Sequence, residues 1–471
     1  MSDAAQPIKY FEKRERAYPK RVWGKYRKLK WIAMIATLGI YYLAPFLRWD
    51  RGAHAPDQAI LIDMSAQRGY FFFIEIWPQE VYYLTGILVL AAVALFFVTS
   101  LAGRVWCGYT CPQTVWTDLF VWVERIIQGD RTKRMKLAKG KWTFEKIWKF
   151  ALTHSLWIII GMLTGGAWVF YFNDAPTLLE QIIHFEVPWS VGGWIVALTF
   201  STYLMAGFAR EQVCMYMCPY SRFQSAMFDK ETMVIGYDED RGEKRGKHKK
   251  GDSWEGRGDC VDCTMCVQVC PVGIDIRDGL QMECIACGLC VDACNEIMDK
   301  VERPRGLIRY DTTHNREARL TGKPEITHIL RPRTFWYISV LVAVGSLMLF
   351  GLLNRSASEL HVLHDRNPLY VTLSDGTIRN GYDIRILNKT HEDIKFSLTV
   401  DGIPGAQVRV QAAGDPDPSA LLVYADSVAH YRVFVAAPKP PTARTSLTFT
   451  AASANGEIIE TYSGLFLSKG R

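Results

Sequence analysis

The run Cys260-Val-Asp-Cys263-Thr-Met-Cys266-Val-Gln-Val-Cys270-Pro271, followed after thirteen residues by Cys284-Ile-Ala-Cys287-Gly-Leu-Cys290-Val-Asp-Ala-Cys294, decides what this chain must contain. Thiolates three positions apart in a tight turn can cap successive irons of a cubane, and the fourth cysteine of each run reaches across to the other cluster. The spacing predicts a two-cluster ferredoxin unit. One [4Fe-4S] cluster takes Cys260, Cys263, Cys266 and Cys294, and the second takes Cys284, Cys287, Cys290 and Cys270. A zinc module fits poorly, because zinc ligands usually come as pairs and not as triplets with a crossing fourth.

Outward from this core, all twelve cysteines lie between Cys107 and Cys294 and none in the last 177 positions. That grouping points to metal ligation and not to a secreted disulfide framework. The 471 residues are 49% hydrophobic and 22% charged, which excludes a disordered polymer or a disulfide-stapled mini-protein and requires several domains.

The apolar residues are strongly segregated. Five stretches, centred on 31–47, 82–102, 147–172, 189–208 and 335–353, are long enough to cross a hydrocarbon core of about 30 Å, and Trp31, Tyr82, Tyr83 and Trp336 stand near their ends. Lys20, Arg21, Lys25, Arg27, Lys28 and Lys30 precede the first stretch, which predicts a cytoplasmic N-terminus. Arg131, Lys133, Arg134, Lys136, Lys139 and Lys141 after the second span agree, as does the loop 173–187, which has three acids and no Lys or Arg. Five spans then place the C-terminus outside. The net charge of +7 reads as a topology signal and a weak attraction to anionic lipid, with no reason to invoke nucleic acid. No cleavable signal peptide is expected, since the first apolar run begins only at residue 31.

Residues 48–80, with Gln58-Ala-Ile-Leu-Ile-Asp63 and Tyr70-Phe-Phe-Phe-Ile-Glu-Ile-Trp77, read as an interfacial hairpin or a partly re-entrant loop. The segment 229–258, from Asp229 through Lys250 to Gly258, is polar and glycine-rich and reads as a flexible tether for a cytoplasmic ferredoxin insert. A second basic stretch, Arg303 to Arg333, leads back to the fifth span. Past it come alternating segments such as Tyr382–Leu387, Ile394–Val400, Val408–Val410, Tyr431–Val435 and Ser446–Thr450, separated by Asp375-Gly376, Asp401-Gly402 and Asn455-Gly456. About seven such strands predict an immunoglobulin-like sandwich. The expected layout is thus a basic arm over 1–30, a four-span domain over 31–228, the ferredoxin-like domain over 229–334, a fifth span over 335–353 and a periplasmic sandwich over 354–471.

The other four cysteines form an internal repeat, Cys107-Gly-Tyr-Thr-Cys111-Pro112 and Cys214-Met-Tyr-Met-Cys218-Pro219, each just beyond the end of an even-numbered span. On a helix, positions i and i+4 share a face, so each pair could present two sulfurs to one ion. The following proline should bend the chain. A soft ion such as Cu(I) suits thiolate ligands, and a dithiol–disulfide cycle is the alternative. Met215 and Met217 are candidate thioether ligands. Downstream, Trp116, Leu119, Phe120, Val123, Ile126 and Ile127 recur at helical spacing and predict an amphipathic helix lying in the interface.

Further histidines offer little. His54, His154 and His184 do not form the facing pair that a haem b requires, and His361 and His364 beyond the fifth span read as surface residues. No G-x-G-x-x-G after a strand and no P-loop supports a nucleotide or flavin.

Taken together, the five spans, both Cys-x3-Cys-Pro repeats, the ferredoxin insert with Cys266-Val-Gln-Val-Cys-Pro-Val-Gly-Ile-Asp275 and the C-terminal sandwich resemble the FixG/RdxA/CcoG family, membrane iron–sulfur accessory proteins of cbb3-type cytochrome c oxidase assembly. The Cys-x3-Cys-Pro pairs also resemble those of membrane ferredoxins of nitrate and nitrous oxide respiration, and the sandwich favours the first family. The resemblance implies an oxidoreductase of the bacterial inner membrane, a cupric reductase that turns Cu(II) into Cu(I), with copper as substrate or transient ligand. It implies Cys107, Cys111, Cys214 and Cys218 as the catalytic, copper-handling residues and the eight ferredoxin cysteines as holders of two electron-supplying [4Fe-4S] clusters. Implied partners are membrane lipid, a copper-exporting ATPase and cbb3 oxidase assembly components, with the electron donor unknown. Copper held within one chain and copper held across a homodimer both remain open, as do the roles of Tyr109 and Tyr216. Two other functions fit the same residues: a membrane electron relay from quinol or a cytoplasmic donor to a partner complex, and a non-redox assembly scaffold.

Overall fold

The computed structural model describes the chain apart from residues 1–15, 53–54, 249–252, 412–416, 439, 441, 455, 457–458 and 470–471. His54, Lys250, Asn455 and the first half of the basic arm therefore lie outside the described residues. The chain divides into two compact units, one of residues 1–48 and 58–348 and one of residues 49–57 and 349–471.

In the first unit, helix α1 (Lys25–Leu43) opens the membrane portion. A three-stranded antiparallel sheet follows, β1 (Ile60–Asp63), β2 (Arg68–Phe71) and β3 (Ile74–Ile76). The expected hairpin over 48–80 is present as β1–β2, with Ile60 opposite Phe71, and β3 extends it into a small sheet. Its anchor is buried Gln58, whose amide donates to the carbonyls of Ile60 and Phe170 at 2.9 and 2.8 Å and whose oxygen accepts from Ala175 N at 2.8 Å.

Next come α2 (Tyr82–Ala102), the short α3 (Val105–Tyr109), α4 (Pro112–Gln128), α5 (Arg131–Lys139), α6 (Phe144–Thr164), α7 (Ala175–His184), α8 (Trp189–Leu204) and α9 (Pro219–Met227). Five helical segments among the described residues are long and apolar enough to cross a membrane: 25–46, 78–102, 144–171, 189–209 and 332–353. None of the apolar window of the last is buried by protein, as a lipid-facing helix requires. Helix α4 is amphipathic, with Ile126 exposed on its outer side. Its apolar face packs inward, Phe120 stacking on Trp157 of α6 at 5.2 Å between ring centroids, with Val123, Trp116 and Ile127 in the same cluster.

The insert begins with β4 (Val234–Tyr237) and the single turn α10 (Glu239–Gly242), continues through α11 (Met265–Val269) and α12 (Leu289–Lys300), and closes with β5 (Ile308–Asp311) and α13 (Thr313–Leu320). β4 and β5 pair antiparallel, with Val234 opposite Asp311. The expected flexible tether is therefore partly a strand. Helix α14 (Pro332–Leu353) leads out of this unit.

The second unit contains two antiparallel sheets. One orders β10 (Gln407–Gln411), β12 (Ser427–Ala437), β8 (Ile378–Asn388) and β6 (Ser358–His364), with β7 (Val371–Thr372) on β8. The other orders β11 (Leu421–Val423), β9 (Ile394–Asp401), β13 (Arg444–Ser453) and β14 (Ile459–Leu467). The alternation anticipated from sequence puts Tyr382, Ile384 and Ile386 of β8 and Phe396, Phe449 and Phe466 of the facing sheet into one core. The chain is a polytopic helical protein with a two-cluster ferredoxin-like insert and an immunoglobulin-like C-terminal sandwich.

Candidate redox centre

The eight ferredoxin cysteines fall into two groups. Cys260, Cys263, Cys266 and Cys294 line one small cavity, and Cys270, Cys284, Cys287 and Cys290 line a second, which Cys266 also borders. Cys266 stands on α11, Cys270 caps its end, and Cys290 and Cys294 lie one turn apart on α12, so two packed helices carry the crossing ligands. Among the described residues no three of these sulfurs close to within 4.8 Å. They surround a volume instead of converging on a point, which suits a multi-iron cubane better than a single ion. Burial pushes the Cys266, Cys284 and Cys294 thiols up to about 12 and Cys270 to about 11. Backbone amides of Val272, Gly273 and Ile274 aim at the Cys270 sulfur and favour its thiolate.

Both Cys-x3-Cys-Pro repeats close in the same way. The amide of the second cysteine reaches back five residues, Cys111 N to Trp106 O at 3.0 Å and Cys218 N to Val213 O at 2.8 Å. Neither pair lies on one continuous helix face. Cys107 belongs to α3 and Cys214 to a π-helical turn over Val213–Met217, while Cys111 and Cys218 are non-helical N-caps of α4 and α9. The cause is the proline, which forces the residue before it out of the helical region and is pre-organised for the first helical position. Pro112 and Pro219 thus start new helices instead of bending old ones.

The four thiols form one electrostatic group. Burial raises the Cys214 thiol to about 12, and the next contribution comes from Cys111 of the other repeat, followed by Cys107. Burial likewise raises Cys111, beside Cys107 and Cys218. The amide of Gln224 donates to Cys107 Sγ at 3.3 Å. Cys214 opens on a cavity of about 40 Å³ that Gln113, Asp118, Arg210, Val272 and Leu289 also line. Met215 packs half-buried in the apolar cluster around Cys107 and Cys287, and Met217 is exposed.

The first repeat touches the second cluster's loop directly. A Cβ on Gly108 would meet the carbonyl oxygen of Ile285 at 2.7 Å and the Cα of Cys287 at 3.0 Å, so only glycine permits this approach. The hydroxyl of buried Tyr109 donates to Cys287 O at 3.1 Å, and Arg104 donates to the carbonyls of Met282 and Cys284. Tyr216, its counterpart, is exposed.

Two charged clasps escaped the sequence reading. Glu124 on α4 is buried and pairs with Arg210 at 2.7 Å, Arg134 at 2.9 Å and Arg16 at 3.0 Å. Burial opposes its ionisation, but Arg210 and the other guanidiniums overcome that and hold the carboxyl below its usual range. Arg210, just before the second repeat, turns the chain at a φ of 38°, a conformation its ion pair over-determines. Asp118 binds Arg27 of α1 at 2.8 Å. Acids inside the apolar-periodic stretch 116–127 were the available signal, since a buried charge needs a partner. Asp292 on α12 accepts from Tyr26 N and Arg27 N at 3.2 and 2.8 Å, capping the first span from 265 residues away. His154 accepts or donates one bond with Tyr203 at 2.9 Å among aromatic rings, a structural role. His184 ends α7, and His361 and His364 bond Glu359 and Asn380 in the sandwich.

Comparison with known proteins agrees with this geometry. Residues 209–313 match the 4Fe-4S dicluster domain, residues 84–132 a 4Fe-4S binding domain, and residues 348–469 the IG-like fold at the C-terminus of FixG. The chain is 49% identical over 459 residues to the nitrogen fixation protein FixG of Rhizobium meliloti (strain 1021), covering 91% of this chain and 88% of that one. The chain belongs to the FixG/RdxA family. Other members are RdxB and RdxA of Cereibacter sphaeroides, 49% and 47% identical, which cover 93% and 90% of this chain and are themselves covered over 92% and 89%. As a FixG/RdxA-type iron–sulfur protein it has a redox function.

Proposed function

We propose that this chain is a membrane-bound cupric reductase that takes Cu(II) to Cu(I) for assembly of a cbb3-type oxidase. The observation that carries the reading is the contact between the two halves of the centre: Gly108 and Tyr109 of a thiol pair lie against Ile285–Cys287, the loop that supplies a cluster ligand. When bound, the clusters supply single electrons at low potential. Each Cu(II) takes up one electron and leaves as Cu(I), and an external one-electron donor replaces what is spent. The chain's own part is to gather four thiols, Cys107 buried and the other three half-buried, beside that electron source. Their soft sulfurs favour the reduced ion over the oxidised one, which pulls the reduction forward. Copper binding displaces thiol protons, so uptake releases them. Arg210 and Glu124 hold the two repeats together around this site.

In this reading the four-span domain over 31–228 handles copper, the insert over 229–334 is cytoplasmic and feeds it electrons, and the sandwich over 354–471 is periplasmic. The membrane is the bacterial inner membrane. Cu(I) passes to a copper exporter, and the sandwich meets the assembling oxidase.

The test is anaerobic Cu(II) reduction by the cluster-loaded protein, read with a Cu(I)-specific chelator, beside Cys214→Ser/Cys218→Ser with unchanged iron. Reduction by the native chain alone is the expected result. Equal rates in both would overturn the reading in favour of an electron relay.

A further inference from the structure

A second group of metal-ligating side chains lies outside the redox centre. Glu231 follows α9 in the loop toward β4, His314 is in the first turn of α13, and His328 sits in the loop between α13 and α14. Their ligand atoms all lie within 4.8 Å of one another, the one such triple of His, Cys, Asp or Glu among the described residues. Each carboxylate oxygen faces a different imidazole: Oε1 is 3.3 Å from His314 Nδ1, and Oε2 is 3.3 Å from His328 Nδ1.

Both distances are within hydrogen-bond reach, at the long end for a charge-assisted pair, and His328 makes such a bond to Oε2. That spacing also equals the edge between two ligands bonded at about 2.0–2.1 Å to a tetrahedral ion, which is roughly 3.3 Å. The neighbouring charges are already engaged. Lys230 pairs with Glu317 at 3.0 Å and Arg331 pairs with Asp229, so among the described residues the two imidazoles are what Glu231 faces. Backbone and buried polar groups hold all three in place. His314 N donates to Lys230 O at 2.9 Å, Glu231 N donates to Asp229 Oδ1 at 3.0 Å, and the buried Asn315 side chain accepts from Ile326 N at 3.0 Å, tying down the loop that carries His328. Half-exposed imidazoles leave the remaining coordination positions open to water or a delivered ion.

We propose that Glu231, His314 and His328 bind a divalent late first-row cation, Cu(II) most tightly and Zn(II) next. Two imidazoles and a carboxylate are the borderline-hard donor set that suits Cu(II), the complement of the thiols that suit Cu(I). The site's use as the landing point for substrate copper rests on the reductase reading; its capacity to bind the ion does not.

The experiment uses full-length, cluster-loaded protein with Cys107, Cys111, Cys214 and Cys218 changed to Ser, so that added Cu(II) is not consumed by the thiols. With the clusters oxidised, one equivalent of Cu(II) is expected to give an electron paramagnetic resonance spectrum with superhyperfine splitting from two imidazole nitrogens. His314→Gln/His328→Gln abolishes that splitting and weakens Cu(II) binding at least tenfold, whereas His361→Gln/His364→Gln leaves both unchanged. The single His328→Gln, in an exposed loop, reduces the splitting to one nitrogen and guards against misfolding of the double variant. Unaltered splitting and affinity in both His314/His328 variants would overturn the site. Because no reduction is measured, this outcome is independent of whether the native chain reduces copper.

Discussion

The two Cys-x3-Cys-Pro repeats share a motif, a five-residue backbone closure and a proline-initiated helix, yet they meet different surroundings. In the first, Gly108 and Tyr109 are pressed against the loop that carries Cys287. In the second, Met215 and Tyr216 occupy the same positions, with Met215 half-buried and Tyr216 more than half exposed. The repeat is a local device for presenting two sulfurs, while the residues between the sulfurs decide its task. The first repeat bonds to the loop of Cys287, while the second packs Met215 beside that loop and leaves Cys214 at a cavity that Val272, Ile285 and Leu289 also line.

The largest expected effect breaks this asymmetry at its closest contact. Gly108→Val drives side-chain atoms into the backbone of Ile285–Cys287, so that loop must move. Iron per chain is expected to fall by about half, the second cluster being lost; Met215→Val, the equivalent change in the other repeat, leaves iron unchanged. Iron and acid-labile sulfide analysis of the two purified variants decides it, and equal iron would mean that the contact at Gly108 is dispensable.

Next in size is the clasp between the repeats. Glu124→Gln strands Arg210 and Arg134 without their carboxylate, and removing one partner of a buried ion pair costs roughly 3–5 kcal/mol. Urea unfolding of the detergent-solubilised protein measures the loss. On the reductase reading, copper reduction should fall with it, since Arg210 places the turn that carries Cys214, while iron content holds.

How far the sequence could be read follows the same line between local and long-range causes. The two-cluster ferredoxin pattern was legible because ligand spacing is a local constraint with few solutions, and the sandwich because β-alternation is local too. The cysteine pairs were legible as pairs, but not their placement. An i, i+4 spacing suggested one helix face, and the rule that a residue before proline leaves the helical region, applied to Cys111 and Cys218, would have corrected it. The hairpin over 60–76 was legible as a hairpin, but not its anchor, because Gln58 bonds Phe170 and Ala175, more than a hundred residues away. Asp292 capping the first span, and Glu231 meeting His314 and His328, carry no local signature at all. Only the folded chain brings them together.

Tyr109→Phe removes a single hydroxyl whose acceptor is the backbone carbonyl of Cys287, and the ring itself still fits. Removing the donor strands a buried backbone carbonyl, which costs about 1–3 kcal/mol. Tyr216→Phe, on an exposed ring, should stay within about 0.5 kcal/mol of the native chain. The same urea titration applied to both variants gives the difference. If Tyr216→Phe proves the costlier, then in the working protein the second repeat is covered by a surface this chain does not itself supply, and the docked and open roles assigned to the two repeats would have to be exchanged.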